Sequence, residues 1–141
     1  MTVLRVLALS ALAALWATSR AEGQSLDYTF FKVRVQPIFI NKRPGHARCV
    51  TCHSHGSPPL QPLALGAVAW NEEQSKMNYA VWRQFVVPGS PLKSPLLLHP
   101  LSAGAGGDHF HAGGKHWKSQ DDPEWRTLAD WVNGRTMGGS Q

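Results

Sequence analysis

Apolar residues recur at helical spacing in several stretches of the chain, and polar or proline-rich segments separate these stretches. In the first stretch, residues 26–40, the apolar side chains fall three or four positions apart, which predicts an amphipathic helix. Pro37 is expected to kink or restart this helix because proline lacks the backbone N–H that a helix interior needs. The positions predicted to face the core are Tyr28, Phe31, Val35 and Ile38.

The middle of the chain predicts two further helices. Asn71 is a suitable N-cap for a helix that extends to about Phe85. A shorter helix is predicted after Ser94 and Pro95, since serine suits the cap position and proline the first helical position, and it ends at His99. The residues expected to be buried in the longer helix are Met77, Ala80, Val81 and Phe85 or their neighbours.

The clearest helical pattern covers residues 122–133. Asp122 can cap the helix, Pro123 suits its first position, and Gly134 follows its end. Its apolar stripe consists of Trp125, Leu128, Trp131 and Val132. Short helices with long loops and little strand signal predict an all-α fold for one domain, residues 22–141.

The N-terminus has the pattern of a secretory signal peptide, residues 1–21. Arg5 supplies a positive start, an apolar run follows, and small residues Ser19 and Ala21 occupy the positions that a signal peptidase reads. The apolar run is about half of the ~20 residues needed to span a bilayer. We therefore expect cleavage, a periplasmic or secreted protein, and no membrane span afterwards; the alternative is an uncleaved anchor.

The net charge changes once the signal peptide is set aside. The full chain has 14 basic and 9 acidic residues, and loss of Arg5 and Arg20 leaves 12 and 9. No run of lysine or arginine is present. The charge therefore gives no reason to expect nucleic-acid binding.

The chain has two cysteines, and both lie in the segment Cys49-Val50-Thr51-Cys52-His53. Two thiols separated by two residues and followed by histidine form the attachment signature of c-type haem. The spacing lets both sulfurs form thioethers with the vinyl groups on one haem edge, and the next residue then lies where its imidazole can ligate iron. We predict one covalent haem c on Cys49 and Cys52, with His53 as proximal ligand. Haem of this type is attached after export, which agrees with the signal peptide.

Other interpretations of the same residues are a redox dithiol, a zinc site, a disulfide and a histidine-rich metal-binding module. A thioredoxin-like dithiol needs a βαβ context, which the flanking sequence does not indicate. A zinc site needs four ligands, usually with a second pair at short spacing. A disulfide across two residues would be redox-active rather than structural. The metal-binding module would use His53, His55, His109, His111 and His116.

Short motifs surround the cysteine segment in a fixed order. Residues 35–39 read VQPIF, and after residues 49–53 come VPGSP at 87–91, SPL at 94–96 and a W-x-x-L-x-x-W-V-x-G pattern at 125–134. This set covers nearly the whole mature chain and resembles the small secreted cytochrome c domains common in planctomycetes and acidobacteria. The resemblance implies a class I-like cytochrome c fold around one haem, and electron transfer.

The sixth iron ligand is where this chain departs from that family. Many relatives carry a His-Met-Pro segment before the last helix, and its methionine looks like the distal ligand. The matching region here, residues 106–117, has no methionine, and His111 occupies about the same place. We therefore expect His111 as the distal ligand. The alternatives are His99, His109, His116, Met77, Met137 and an open or water-ligated site.

These ligands decide the expected function. A methionine ligand raises the haem potential, so two histidines would give a lower one, and they would leave no open position for a substrate. We expect a monomeric electron carrier, not an enzyme, that works with an unidentified redox partner protein. The alternative is a haem enzyme or a gas- or peroxide-binding haem protein with an open distal face, where a nearby histidine acts as acid or base. Side chains that could bind the haem propionates are Arg48, Arg83, Lys115 and Trp117.

Overall fold

A computed structural model describes residues 25–139, and the predicted signal peptide, residues 1–21, lies outside them. The described chain is helical, and its extended pairing is limited to an isolated bridge between Leu101 and Trp117. This confirms the all-α prediction. Within the described part of the chain, no helix combines the length and the apolar character that crossing a bilayer requires.

Five helical regions and three short turns follow one another along the described chain. Helix α1 has three consecutive segments, α-helical Tyr28–Phe30, π-helical Phe31–Val35 and α-helical Gln36–Ile40. Helices α2 to α5 are Cys49–His53, Glu72–Trp82, Pro95–Leu98 and Pro123–Val132. The 3₁₀ turns are Arg83–Phe85, Pro91–Lys93 and Ala103–Ala105.

Helix α1 follows the predicted pattern, except that Tyr28, predicted to face the core, is only partly buried. The Asp27 side chain caps it by accepting a hydrogen bond from the Phe30 N–H. The π-helical segment ends at Val35, two residues before Pro37, and α-helical geometry resumes at Gln36. The wider turn agrees with the predicted restart, because proline cannot donate the helical hydrogen bond at its own position. The apolar residues that α1 buries are Phe30, Phe31, Val35, Ile38 and Phe39.

Helix α5 packs against α1 and closes the core. The Asp122 carboxylate accepts a hydrogen bond from the Glu124 N–H at 2.9 Å, as the predicted cap requires. The rings of Trp131 and Phe31 have centroids 5.1 Å apart, and the Trp131 indole N–H donates to the Asp27 carbonyl at 2.9 Å. The predicted stripe is buried in full, at Trp125, Leu128, Trp131 and Val132. The first and last helices therefore form one packed unit.

Helix α4 begins after Ser94, as predicted, and ends at Leu98, one residue before His99. The Ser94 hydroxyl does not cap this helix. It accepts from the Val87 N–H at 2.9 Å and donates to the Ser90 carbonyl at 2.9 Å. The buried serine therefore stabilises the turn before α4.

For helix α3 the N-cap was predicted correctly, whereas the prediction of its buried face was partly wrong. Asn71 and Gln74 form a capping box, because each side chain bonds the backbone N–H of the other residue. Met77 is 44% exposed, and Ala80 is exposed as well. The predicted residues that do pack against the core, Val81 and Phe85, are partly buried.

Polar side chains occupy much of the buried face of α3. Gln36 of α1 donates to the Ser75 hydroxyl at 3.0 Å and accepts from the Asn78 amide at 3.3 Å. The Asn78 side-chain oxygen also accepts from the Gln61 N–H at 2.7 Å. Since each of these buried groups has a partner, α3 can turn a polar stripe inward and leave Met77 outside.

Replacing Asn78 with alanine is expected to lower the free energy of unfolding by about 1–3 kcal/mol. The side-chain oxygen of Gln36 and the backbone N–H of Gln61 would then lose their buried partner. Urea denaturation of the purified protein measures this change. Met77→Ala on the exposed face of the same helix is the matched control, with an expected change within about 0.5 kcal/mol. Equal losses in the two variants would contradict this assignment of the buried face.

Candidate functional site

A cleft of about 570 Å³ opens between α2, α3, α4 and the segment that precedes α5. Its volume lies within the range of about 300–1,000 Å³ that is usual for ligand and cofactor sites. Its apolar wall includes Phe39, Trp82, Phe85, Leu96 and Trp117. Among the described residues, no aspartate or glutamate lines it. The cleft therefore suits a large and mostly apolar molecule.

Helix α2 brings three of the predicted site residues into this cleft. Cys49, Cys52 and His53 all line it, and both cysteines are free thiols. Cys49 is partly buried and Cys52 is exposed. The buried Val50 anchors the helix to the core, and Cys49, Cys52 and His53 of the same helix line the cleft together.

His53 is held in one tautomer. Its Nδ1 lies 2.7 Å from the Pro58 carbonyl oxygen, which can only accept a hydrogen bond, so Nδ1 carries the proton. Burial lowers the pKa of His53, the bond to Pro58 raises it, and the charge of His111 lowers it further, with a net shift downward. The Nε2 lone pair of a neutral imidazole is therefore available as a metal ligand.

His111, which also lines the cleft, has the same arrangement. Its Nδ1 lies 2.6 Å from the Gly114 carbonyl oxygen, and the Gly114 N–H donates back to the His111 carbonyl at 2.8 Å. Gly114 has φ +79°, which a residue with a side chain would adopt only with strain. The turn fixes the His111 tautomer and leaves Nε2 free, as at His53.

The two imidazoles stand at the spacing expected for opposite ligands of one metal ion. The ring centroids of His53 and His111 are 6.4 Å apart, and the ring planes differ by 17°. Imidazole nitrogens bind metals at about 2 Å, so two rings on opposite sides of one ion have centroids about 6 Å apart. The structure therefore brings all four predicted site residues, Cys49, Cys52, His53 and His111, to one cleft.

Other candidates for the distal position are less well arranged. His99 lines the cleft, but its Nδ1 is paired with the Asp108 carboxylate at the exposed rim. His109 is exposed and does not line the cleft. Neither Met77 nor Met137 lines it, and both are exposed.

His116 lies beside His111 in the cleft wall. The centroids of these two rings are 5.8 Å apart, and the His116 ring also lies 4.6 Å from the His46 ring, tilted by 34°. Burial lowers the pKa of His116 to about 4, and the nearby charges of Arg43, His46 and His111 act in the same direction. Its Nδ1 is buried without a hydrogen-bond partner among the described residues. His116 is therefore neutral at neutral pH and has an unused polar atom.

Arg43 is a functional candidate that the sequence analysis missed. Its buried guanidinium contacts the Cys49 sulfur at 3.8 Å, pairs with the Glu124 carboxylate and lies 5.5 Å from the Trp117 ring centroid. Burial raises the pKa of the Cys49 thiol, and Arg43 opposes that shift. The sequence holds no local signal for this contact, because Glu124 is far from Arg43 along the chain.

The predicted propionate partners divide into two groups. Arg48 and Trp117 line the cleft, as a propionate contact would require. Arg83 lies over the Tyr79 ring instead, 5.7 Å from its centroid. Lys115 is bound to Asp108 and to the His99 carbonyl, so its ammonium group is already neutralised. Arg83 and Lys115 do not line the cleft in this arrangement.

The zinc and histidine-rich interpretations find no support in the side-chain arrangement. Within residues 25–139, no group of three or more His, Cys, Asp or Glu side chains converges on a point where it could hold a bare metal ion.

Comparisons of the chain with protein-family models, curated proteins and solved structures give no match. The functional assignment therefore depends on the chemistry of the cleft.

Proposed function

We propose that this chain is a monohaem c-type cytochrome that transfers electrons in the periplasm or outside the cell. The observation that carries the proposal is the pair of near-parallel imidazoles, His53 and His111, 6.4 Å apart in a cleft that also contains both thiols. Cys49 and Cys52 would hold the haem through thioethers, and the imidazoles of His53 and His111 would hold its iron. The bound haem would supply one-electron oxidation and reduction.

The cleft wall supports this choice of cofactor. A porphyrin has a large apolar face, and the wall offers the rings of Phe39, Trp82 and Trp117 together with Leu96. Burial of such a face stabilises the complex by roughly 25 cal/mol per Å² of apolar surface. The all-α architecture, with α1 packed on α5, is compatible with the cytochrome c-like fold that we propose.

The ligand arrangement favours electron transfer over catalysis. If His53 and His111 both held the iron, a bound haem would offer no iron position to a substrate. Both imidazoles donate their Nδ1 protons to backbone carbonyls, which increases their strength as ligands. Cys52 is exposed, so the haem edge bonded to it would be the place where a redox partner protein exchanges electrons. We propose that the protein acts as a monomer after signal-peptide cleavage.

Absorption spectroscopy of the purified protein, oxidised and reduced, tests this function. The protein should be expressed with its signal peptide in a host that attaches c-type haem. We expect a low-spin spectrum of a six-coordinate haem in both states. A high-spin spectrum would contradict the two-histidine assignment, and a protein without haem would contradict the proposed function as a whole.

A further inference from the structure

The segment that carries His111 has a fixed base. We call residues His109–Gly114 the distal loop. Before it, the Asp108 N–H donates to the Leu98 carbonyl at 3.3 Å. After it, the Lys115 ammonium donates to the carbonyls of Asp108 and His99 at 2.6 and 2.7 Å. Both ends of the distal loop are therefore tied to the same place beside α4.

The tip of the distal loop lacks such ties. In the described structure, its hydrogen bonds run only within the loop and to His116, which donates to the Gly113 backbone. Phe110 is 76% exposed, so the aromatic side chain next to His111 does not anchor the loop in the core. A loop with few buried contacts and few external hydrogen bonds opens at low free-energy cost.

Gly113 controls how the His111 ring lies in this loop. A Cβ atom at Gly113 would lie 3.1 Å from the His111 Cε1 and 3.5 Å from its Nδ1. The imidazole therefore rests directly on the backbone of its own turn, which also accepts its Nδ1 proton at Gly114. The turn of the loop positions this ligand, whereas His53 lies on a helix anchored in the core.

We propose, on the basis of the function proposed above, that the distal loop is a gate and that His111 is an exchangeable ligand. When the loop swings outward on its fixed base, His111 leaves a site that a small neutral diatomic molecule can enter. The absence of lining carboxylates within the described cleft and its apolar wall suit an uncharged ligand. His116, whose ring lies 5.8 Å from that of His111, is a polar group beside the vacated position.

Carbon monoxide binding to the reduced holoprotein, followed by stopped-flow absorption, tests the gate. In the wild type, the observed rate is expected to rise with carbon monoxide concentration and then level off, because loop opening becomes limiting. His111→Ala should bind without a plateau. Gly113→Ala, which crowds the His111 ring, should raise the plateau rate severalfold. Gly104→Ala is the control, since a Cβ there meets nothing within 4 Å, and it should match the wild type.

The outcomes separate this inference from the proposed function. Loss of haem from the denatured wild type overturns the proposed function and this inference with it. Suppose that the wild type retains low-spin haem but binds no carbon monoxide, whereas His111→Ala binds it. That result overturns the gate and leaves the proposed function standing. A rate that stays proportional to carbon monoxide concentration in the wild type, or equal plateaus for Gly113→Ala and Gly104→Ala, also overturns the gate.

Discussion

The double variant Cys49→Ser/Cys52→Ser is expected to carry no covalent haem, against one per chain in the parent. Both thiols line the cleft, and serine keeps the size of each side chain but cannot form a thioether. The measurement is haem absorbance that migrates with the polypeptide under denaturing conditions. Any noncovalent haem bound between His53 and His111 would be lost at that step.

Thr51→Ala is the matched control for the cysteine variant. Thr51 lies on the same helix α2, is exposed and does not line the cleft. It should retain the full covalent haem of the parent. Haem that stays on the double serine variant after denaturation would contradict the thioether assignment.

Replacing His111 with methionine is expected to raise the reduction potential of the haem by on the order of 100 mV. Axial ligands set haem potentials over a range of roughly 0.8 V, so this shift is a small part of that range. The thioether of methionine is a weaker donor to ferric iron than imidazole is, so the ferrous form gains in relative stability. Spectroelectrochemical titration measures the change, and the absorption spectrum should change with it.

His109→Met provides the control for that experiment. His109 lies two residues away in the distal loop, is exposed and does not line the cleft. It should leave the reduction potential within experimental error of the parent. A shift in the His109 variant without one in the His111 variant would show that the distal ligand is misassigned.

The features predicted correctly from the sequence depend on local chemistry. The capped helix α5 follows from Asp122, Pro123 and an apolar stripe at helical spacing, and all of these signals lie within one short segment. The N-cap of α3 at Asn71 follows from a local signal in the same way. Such signals need no knowledge of the rest of the chain.

The features that the sequence could not predict depend on contacts between distant segments. The inward face of α3 is polar because Gln36, on another helix, bonds Ser75 and Asn78. A hydrophobicity pattern favours Met77 for the core, since it takes no account of such partners. The contact of Arg43 with Glu124 and Cys49 is hidden for the same reason.

His111 lies between these two cases. Its place before the last helix made it a candidate, but five other side chains and an open site remained as alternatives. In the structure, His111 differs from these alternatives in its spacing to His53 and in the hydrogen bond from its Nδ1 to the Gly114 carbonyl. Neither feature has a sequence signal beyond the two glycines that follow His111 in the turn.

The most direct test of the central claim is the intact mass of the exported protein under denaturing conditions, after expression with the machinery that attaches c-type haem. The account predicts a polypeptide that begins at Glu22 and carries the added mass of one haem. A polypeptide with the mass of the amino acids alone, produced in a host that loads a known c-type cytochrome in parallel, would contradict it.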